Sequence, residues 1–287
     1  MNESSLRREI VKYSHLVWQQ GYLVSMDGNL SVRLDDNHFL VTKAGCHKGF
    51  LSEDDVVVVD SAGQLVRGEG RPTSEVFMHL AVYEERPDVR AVIHTHPPHA
   101  IAFTLANKSL ERLVLPEVVL TIGTIPTVPY VTTGTKALAD SLRPAIQTRD
   151  ALILDRHGAV TVGSSLHDAF CKLETLEHTA KIVLISDNLG GTKELPAEES
   201  VQLRAMGLKR YGGPPQSVSM ADDPRADLPE ASFRSSDPYP APTTMVPRVA
   251  TDAHLVNPSV RLEQMRAEAT RAYENINRTR NALKKRT

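Results

Sequence analysis

Three histidines form the set of residues best suited to metal chemistry in this chain. His94 and His96 are separated by one residue in a β-rich stretch, and His157 precedes a glycine at a predicted strand end. Alternate residues of a strand point to one face, so the first two can bind a single ion. Three protein ligands with an open position are typical of catalytic metals. The chain has 11 histidines, so ordinary turn histidines explain the spacing equally well.

Two further histidines are predicted not to be ligands, because His99 follows Pro97-Pro98 and His178 lies within a predicted long helix. Glu75 is the acidic residue of interest. Ser74 is predicted to cap a helix running to about Glu85, which puts Glu75 in its first turn. A carboxylate beside a metal can act as general acid or base, but the helix dipole also favours acidic residues there without any function.

Periodicity predicts the elements that position these residues. A helix is expected over 5–20, with its apolar residues at helical spacing, and a longer one over 165–189. On the helix that follows Ser74, the buried side is predicted to contain Val76, Phe77, Leu80 and Tyr83. Strands are expected over 29–34, 39–42, 56–60, 64–67, 89–95 and 120–131, with two more in 151–162 on either side of the 156–158 turn. Short strands joined by turns imply a largely antiparallel sheet.

Composition narrows the class of protein. The 287 residues are 41% hydrophobic and 24% charged, with a formal net charge of -2, which predicts one main domain and neither a nucleic-acid nor a membrane partner. The polar N-terminus does not resemble a signal peptide. Cys46 and Cys171 form no disulfide framework, so a reducing cytoplasm is the expected location.

The chain is predicted to divide into three parts. Residues 1–211 contain the periodic segments and form the expected catalytic domain. Residues 212–256 are rich in Pro, Ser, Asp and Ala, which predicts a flexible linker because such a segment buries little apolar surface. Residues 257–287 begin with Asn257-Pro258 and continue with apolar residues at helical spacing, which predicts an amphipathic tail helix.

Five motifs together resemble the class II aldolase/adducin family, in particular its fuculose-phosphate aldolase-like members. They are Gly28-Asn29-Leu30-Ser31, Ala44-Gly45-Cys46-His47-Lys48-Gly49, Pro72-Thr73-Ser74-Glu75, His94-Thr95-His96-Pro97 and Arg156-His157-Gly158. The resemblance covers about Ser5 to Tyr211. It implies a three-layer α/β/α fold with a central, mostly antiparallel sheet, and a homotetramer with active sites between subunits.

The resemblance also implies roles for individual residues. His94, His96 and His157 would bind Zn²⁺ or another divalent ion such as Mn²⁺, with Glu75 as general acid/base. A substrate phosphate would contact Gly28, Asn29, Ala44, Gly45, Thr73 and Ser74, and Tyr211 would protonate a departing aldehyde. Two positions depart from the pattern: Ala44 replaces a hydroxyl residue, and Leu115 replaces a second aldehyde-side tyrosine.

The implied activity is cleavage of a carbon–carbon bond in a small ketose phosphate or related hydroxy-carbonyl compound through a metal-stabilised enediolate. The same chemistry serves a decarboxylase of a small β-keto acid, which ranks second, and an epimerase. Glu75, where the resembling epimerases have aspartate, favours the first two. A non-catalytic adducin-like binding module is the alternative from another class, and the presence of all three histidines and Glu75 argues against it.

Overall fold

A single eight-stranded sheet forms the centre of the protein in a computed structural model, which describes residues 2–211. The strands are β1 Asn29–Arg33, β2 His38–Thr42, β3 Val56–Asp60, β4 Leu65–Arg67, β5 Ala91–Thr95, β6 Thr127–Val128, β7 Ala151–Leu154 and β8 Gly158–Gly163. Their order is β4-β3-β2-β1-β5-β8-β7-β6. Every neighbouring pair is antiparallel except β6 and β7, which confirms the expected mostly antiparallel sheet.

Seven α-helices accompany the sheet within the described residues. They are α1 Glu3–Gln19, α2 Val76–Glu85, α3 Pro98–Leu105, α4 Pro116–Thr121, α5 Lys136–Ile146, α6 Leu166–Asn188 and α7 Ala197–Tyr211. None of these helices combines the length and apolar character needed to cross a bilayer. The predicted linker over 212–256 and tail helix over 257–287 lie outside the part of the chain that the structure describes.

The two faces of the sheet are covered by different helices, which confirms the three-layer fold. Alternate strand residues such as Val41, Val92 and Val160 form one core with α2 and α5. The intervening residues pack on the opposite face against α1 and the first half of α6, and a third core joins α3, α4 and the rest of α6 to β7 and β8. The period-2 burial of the strands therefore produces both layers.

Several predicted elements differ from the structure. The strand expected over 120–131 is wrong: helix α4 ends at Thr121, and only Thr127–Val128 is extended. Glu75 is the N-cap of α2 rather than a first-turn residue. Phe77, predicted on the buried side of that helix, is 45% exposed. Helices α3, α5 and α7 were not predicted, whereas the long helix expected over 165–189 is confirmed as α6.

Candidate metal centre and active site

Strand register brings the candidate site residues together at one edge of the sheet. On β5, His94 lies beside Asn29 of β1 and beside Val160 of β8. His157 occupies the tight turn between β7 and β8, where its backbone N–H donates to the Leu154 carbonyl. Because β8 pairs with both β5 and β7, this turn returns His157 to the end of the strand that contains His94.

The three histidines converge. One ring nitrogen from each of His94, His96 and His157 lies within 4.8 Å of the other two. The Nδ1 of His94 donates to the Ala159 carbonyl oxygen at 3.0 Å, so its Nε2 is the ring nitrogen left to face the other residues of the site. That Nε2 lies 3.3 Å from the Nε2 of His96. A carbonyl that orients a ligating imidazole in this way is typical of metal sites.

The chemistry of the three rings fits a borderline divalent cation. Burial, reinforced by the charge of His94, lowers the pKa of both His96 and His157 to about 4, which keeps their lone pairs available at neutral pH. Two imidazole nitrogens 3.3 Å apart repel one another unless a proton or a cation lies between them. Neutral imidazoles are good ligands for zinc and related ions.

Glu75 lies directly against this cluster and is 9% exposed. Its Oε2 is 3.2 Å from His94 Nε2 and accepts a hydrogen bond from Asn29 Nδ2 at 2.9 Å, and its Oε1 is 3.3 Å from His157 Nε2. Burial raises the pKa of Glu75, but the charge and hydrogen bond of His94 and the Asn29 amide outweigh burial and hold it well below its usual range. The Oε1 atom is buried and accepts no hydrogen bond from the described residues.

Gly158 lets strand β8 approach the predicted ligands closely. A Cβ at this position would lie 2.3 Å from the Thr95 carbonyl oxygen, 2.8 Å from His96 Cδ2 and 3.0 Å from His94 Cε1. The sequence predicted that this glycine permits a turn. In the structure the left-handed residue of the turn is Arg156 instead. The observed effect of Gly158 is to keep a side chain out of the space that the histidine rings occupy.

The six residues predicted to contact a substrate phosphate lie in three chain segments, two of them next to each other. The turn with Ala44 and Gly45 is joined to the start of α2 by the bridge between Lys43 and Pro72 and by the hydrogen bond from Thr73 N to the Thr42 carbonyl.

The third segment contains Gly28 and Asn29. A Cβ on Gly28 would lie 2.7 Å from the carbonyl oxygen of His94, so the two backbones are in close contact. The Asn29 side chain donates a hydrogen bond to Glu75, and Ser74, in the segment before α2, is exposed. The role of the six residues in binding phosphate stays a prediction.

A buried lysine joins two of these segments. Lys48 is 2% exposed, and its ammonium donates to the carbonyl oxygens of Met26 at 3.2 Å and Cys46 at 2.8 Å. Burial lowers its pKa. The side chain therefore ties the loop before Gly28 to the loop after Ala44. The sequence places Lys48 in the motif from Ala44 to Gly49 but gives no signal of this contact.

The structure does not bring every predicted residue to the histidines. Tyr211 ends helix α7, is 56% exposed and stacks on the neighbouring Arg210, so its catalytic role stays a prediction. Leu115 packs against the third apolar core. His99 donates from its backbone N–H and pairs through its ring with Glu177, away from the three-histidine cluster. Neither His99 nor His178 belongs to that cluster among the described residues.

One histidine that was not identified from the sequence, His79, contacts the site through Asn29, the hydrogen-bond partner of Glu75. His79 is fully buried on α2 and contacts Asn29 and Ser31. The available signal was its position four residues after Glu75, since residues four apart lie on one helical face. No metal-ligand spacing includes it, so a search for ligand motifs passes over it.

Comparison with known proteins defines the class of this fold and site. Residues 8–184 match the Class II Aldolase and Adducin N-terminal domain. A solved L-fuculose 1-phosphate aldolase superposes with a TM-score of 0.67 at 30% identity, covering 71% of this chain and 97% of the other. The chain belongs to the class II aldolase family and is an enzyme of the metal-dependent lyase type.

Individual relatives within the family have two different activities. The L-fuculose phosphate aldolase of Methanococcus vannielii is 41% identical over 175 residues, which cover 61% of this chain and 93% of that protein. The 3-oxo-tetronate 4-phosphate decarboxylase of Escherichia coli is 34% identical over 209 residues, or 71% and 97% of the two chains. The L-fuculose-1-phosphate aldolase of Thermus thermophilus superposes at 28% identity with a TM-score of 0.58, covering 68% and 100%.

Proposed function

We propose that this enzyme is a divalent-metal-dependent aldolase that cleaves a carbon–carbon bond in a small ketose phosphate. The observation that carries the proposal is the Glu75 carboxylate, which contacts two of the three convergent histidines and has one buried oxygen free of hydrogen bonds from the described residues. His94, His96 and His157 would hold Zn²⁺ or another divalent ion such as Mn²⁺. When bound, that ion supplies Lewis acidity to the substrate oxygens.

Glu75 performs the proton transfer in this proposal. The neighbouring His94 and the Asn29 amide hold the pKa of Glu75 well below its usual range despite burial. Glu75 is therefore ionised at neutral pH, which is the form that removes a proton from the carbon next to a carbonyl. In the cleavage direction the transfer runs in reverse: the protonated carboxyl of Glu75 gives its proton to that carbon and becomes the carboxylate. Glu75 and His94 are both buried, and a low local dielectric strengthens the electrostatic interactions between them.

A decarboxylase of a β-keto acid phosphate is the second candidate. It is supported by the similarity of this chain to a 3-oxo-tetronate 4-phosphate decarboxylase as well as to an aldolase. The two named substrates share one chemical core. Retro-aldol cleavage of L-fuculose 1-phosphate and loss of carbon dioxide from 3-oxo-tetronate 4-phosphate both leave the enediolate of dihydroxyacetone phosphate. The site is therefore proposed to recognise a phosphorylated three-carbon keto fragment. Thr73 and Ser74 would contact its phosphate, because they precede the N-terminus of helix α2, where the helix dipole favours an anion.

One experiment separates the two candidates. The full chain is incubated with each phosphate ester, and three products are measured: dihydroxyacetone phosphate, aldehyde and carbon dioxide. Equal yields of dihydroxyacetone phosphate and aldehyde support the aldolase, whereas carbon dioxide with no aldehyde supports the decarboxylase. Failure of both substrates to yield dihydroxyacetone phosphate, with about one divalent ion bound per chain, contradicts the proposed substrate class.

Glu75→Gln tests the assigned base independently of which bond is cleaved. Solvent deuterium exchange into dihydroxyacetone phosphate measures only the carbon proton transfer. We expect the variant to keep its fold and metal content but to lose this exchange by about 10²–10⁴-fold, the usual contribution of general acid–base catalysis. Near-normal exchange would remove Glu75 from the mechanism.

We also propose a homotetramer in the cytoplasm that functions in carbohydrate metabolism. The sugar-phosphate names of the relatives support the last point. Both cysteines, Cys46 and Cys171, are unpaired, which is compatible with a reducing compartment. Light scattering on the purified full chain measures the mass of the assembly, and a monomer would contradict the tetramer.

A further inference from the structure

A continuous hydrogen-bond chain runs beneath Glu75, away from the three histidines. It begins at Tyr83 and passes through Ser31, His79 and Asn29 to the carboxylate. The contacts are Tyr83 OH to Ser31 Oγ at 2.8 Å, Ser31 Oγ to His79 Nδ1 at 2.6 Å, His79 Nε2 to Asn29 Oδ1 at 2.5 Å and Asn29 Nδ2 to Glu75 Oε2 at 2.9 Å.

The fold places these groups in line. Asn29 and Ser31 are two residues apart on β1, so their side chains point to the same face of the sheet. Helix α2 lies over that face and presents His79 to both of them. Tyr83 is one further helical turn along. His79 is 0% exposed and Tyr83 is 2% exposed, so water does not compete for these hydrogen bonds.

The orientation of the Asn29 amide sets the direction of the hydrogen bonds in the chain. Its N–H donates to Glu75 Oε2, and its carbonyl oxygen faces His79 Nε2. That oxygen needs a donor, which makes His79 the Nε2–H tautomer. The bare Nδ1 then accepts from the Ser31 hydroxyl, and Ser31 in turn accepts from Tyr83.

Two physical effects keep the chain in this state. Burial lowers the pKa of His79 to about 3, so its ring stays neutral and retains one lone pair. Burial also raises the pKa of Tyr83, so the phenol retains its proton as the terminal donor. With one donor and one acceptor on the imidazole, each tautomer of His79 fits one orientation of the Asn29 amide.

We propose that His79 is a positioning residue: through Asn29 it holds Glu75 Oε2 and leaves Oε1 as the oxygen that carries the catalytic proton. This inference rests on the proposed function of Glu75 as acid/base. Oε2 already accepts the Asn29 hydrogen bond, whereas Oε1 is buried and accepts no hydrogen bond within the described chain. The histidines do not distinguish the two oxygens, because His94 Nε2 lies 3.2 Å from Oε2 and His157 Nε2 lies 3.3 Å from Oε1. In the step, the substrate C–H bond breaks, an O–H bond forms on Oε1, and the electron pair stays on the substrate as the enediolate.

The alternative arrangement is internally consistent and therefore makes the proposal testable. If His79 were protonated on Nδ1, it would donate to Ser31, its Nε2 would accept from Asn29, and the Asn29 carbonyl would face Glu75. An acceptor facing a carboxylate is repulsive, so His79 would then no longer support the ionised base. The two arrangements differ in the positions of the His79 ring proton, the two Asn29 amide protons and the Ser31 hydroxyl proton.

Neutron diffraction from deuterated crystals of the full-length enzyme shows those protons directly and does not depend on turnover. We expect a deuteron on His79 Nε2, none on Nδ1, and the Asn29 amide deuterons directed at Glu75 Oε2. A deuteron on Nδ1 with a bare Nε2 overturns the proposal. This measurement stands whether or not the proposed substrates are turned over, so it separates failure of the positioning role from failure of the proposed function.

Kinetics then test whether the geometry matters for catalysis. His79→Leu removes both ring contacts, whereas His79→Gln keeps a donor that reaches Asn29. We expect the leucine variant to lose about 10–100-fold in kcat for deuterium exchange into dihydroxyacetone phosphate, as for other residues that orient a functional group, with KM changed less than about twofold. The glutamine variant should recover most of kcat.

Thr161→Val supplies the matched control. Thr161 is also fully buried and donates to the Ala169 carbonyl at 2.9 Å, on the far side of the sheet from Glu75. We expect this variant to lose stability without losing kcat. A His79→Leu enzyme that loses only stability, or that raises KM at constant kcat, contradicts the positioning role. Equal losses in the leucine and glutamine variants contradict it as well.

Discussion

Replacing Gly158 with alanine tests whether the metal site depends on a close contact between strands as well as on its ligands. No ligand is removed and the backbone at this position needs no left-handed conformation, so the effect is steric. The added Cβ would lie 2.3 Å from the Thr95 carbonyl oxygen and 2.8 Å from His96 Cδ2. Because ordinary contact begins at 3.4 Å, the nearest backbone atom must retreat by about 1.1 Å.

A displacement of that size moves the strand end that holds two predicted ligands. Overpacking of this kind costs about 1–3 kcal/mol of folding free energy. Disturbing the support of a metal ligand typically reduces metal affinity by about 10–100-fold. We therefore expect Gly158→Ala to fold, with metal affinity reduced by up to two orders of magnitude. Competition against a chromophoric chelator measures the affinity, and urea unfolding of the metal-free protein measures the stability.

Gly163→Ala is the matched control for this experiment. It lies on the same strand, and its Cβ would meet Ala169 N and Asp168 Oδ2, both at 2.7 Å, far from the histidines along β8. It should show a similar loss of stability with unchanged metal affinity. If Gly158→Ala binds the ion as tightly as the wild type, or if both variants weaken binding equally, the claim that strand β8 positions the ligands is refuted.

Three further predictions concern other parts of the molecule. Lys48→Met should destabilise the fold by roughly 2–4 kcal/mol in urea unfolding, because two carbonyls lose a charged donor. It should also raise KM for phosphate esters, and an unchanged KM would show that Lys48 does not contribute to substrate binding. Metal-free protein should lose stability as the pH falls from about 6.5 toward 4, by up to about 1.4 kcal/mol per pH unit for each of His79, His96 and His157, since the unfolded chain binds protons that these buried rings do not. His79→Leu should remove one residue's share of that slope. A chain ending at residue 211 should fold and bind metal, because it contains the whole matched family domain, residues 8–184, and the three described apolar cores. Loss of thermal cooperativity would contradict this.

Sequence patterns predicted the elements whose burial is periodic and failed where tertiary contacts decided. Helix α6 was predicted from its apolar stripe, and the strands of the central sheet from alternation. The run Val118-Val119-Leu120 favours a strand by propensity, but it forms α4 because Pro116 starts a helix and α7 packs on it. Gly207 sits so close that a Cβ there would be 2.0 Å from the Leu120 carbonyl oxygen. No local signal in residues 116–121 indicates that contact.

The candidate site was predictable as a set of residue types but not as an arrangement. Motif resemblance named His94, His96, His157 and Glu75, which the structure brings within contact distance. Their convergence depends on β8 pairing beside β5, a contact between residues about 65 apart in sequence. His79 has no motif of its own, since its role arises from the packing of α2 over β1.

The sheet order has a consequence for how the protein is made. Strands β4, β3, β2, β1 and β5 come from residues 29–95, and β8, β7 and β6 come from residues 127–163. During synthesis, β5 therefore leaves the ribosome with one edge unpaired, although every one of its residues is buried in the finished protein. Such an edge is a site of aggregation until β8 covers it. His94 and His96 lie at the end of β5, in the part of the chain that is synthesised first, and His157 lies just before β8, in the part synthesised later. An ion bound by all three would therefore link the two parts of the sheet.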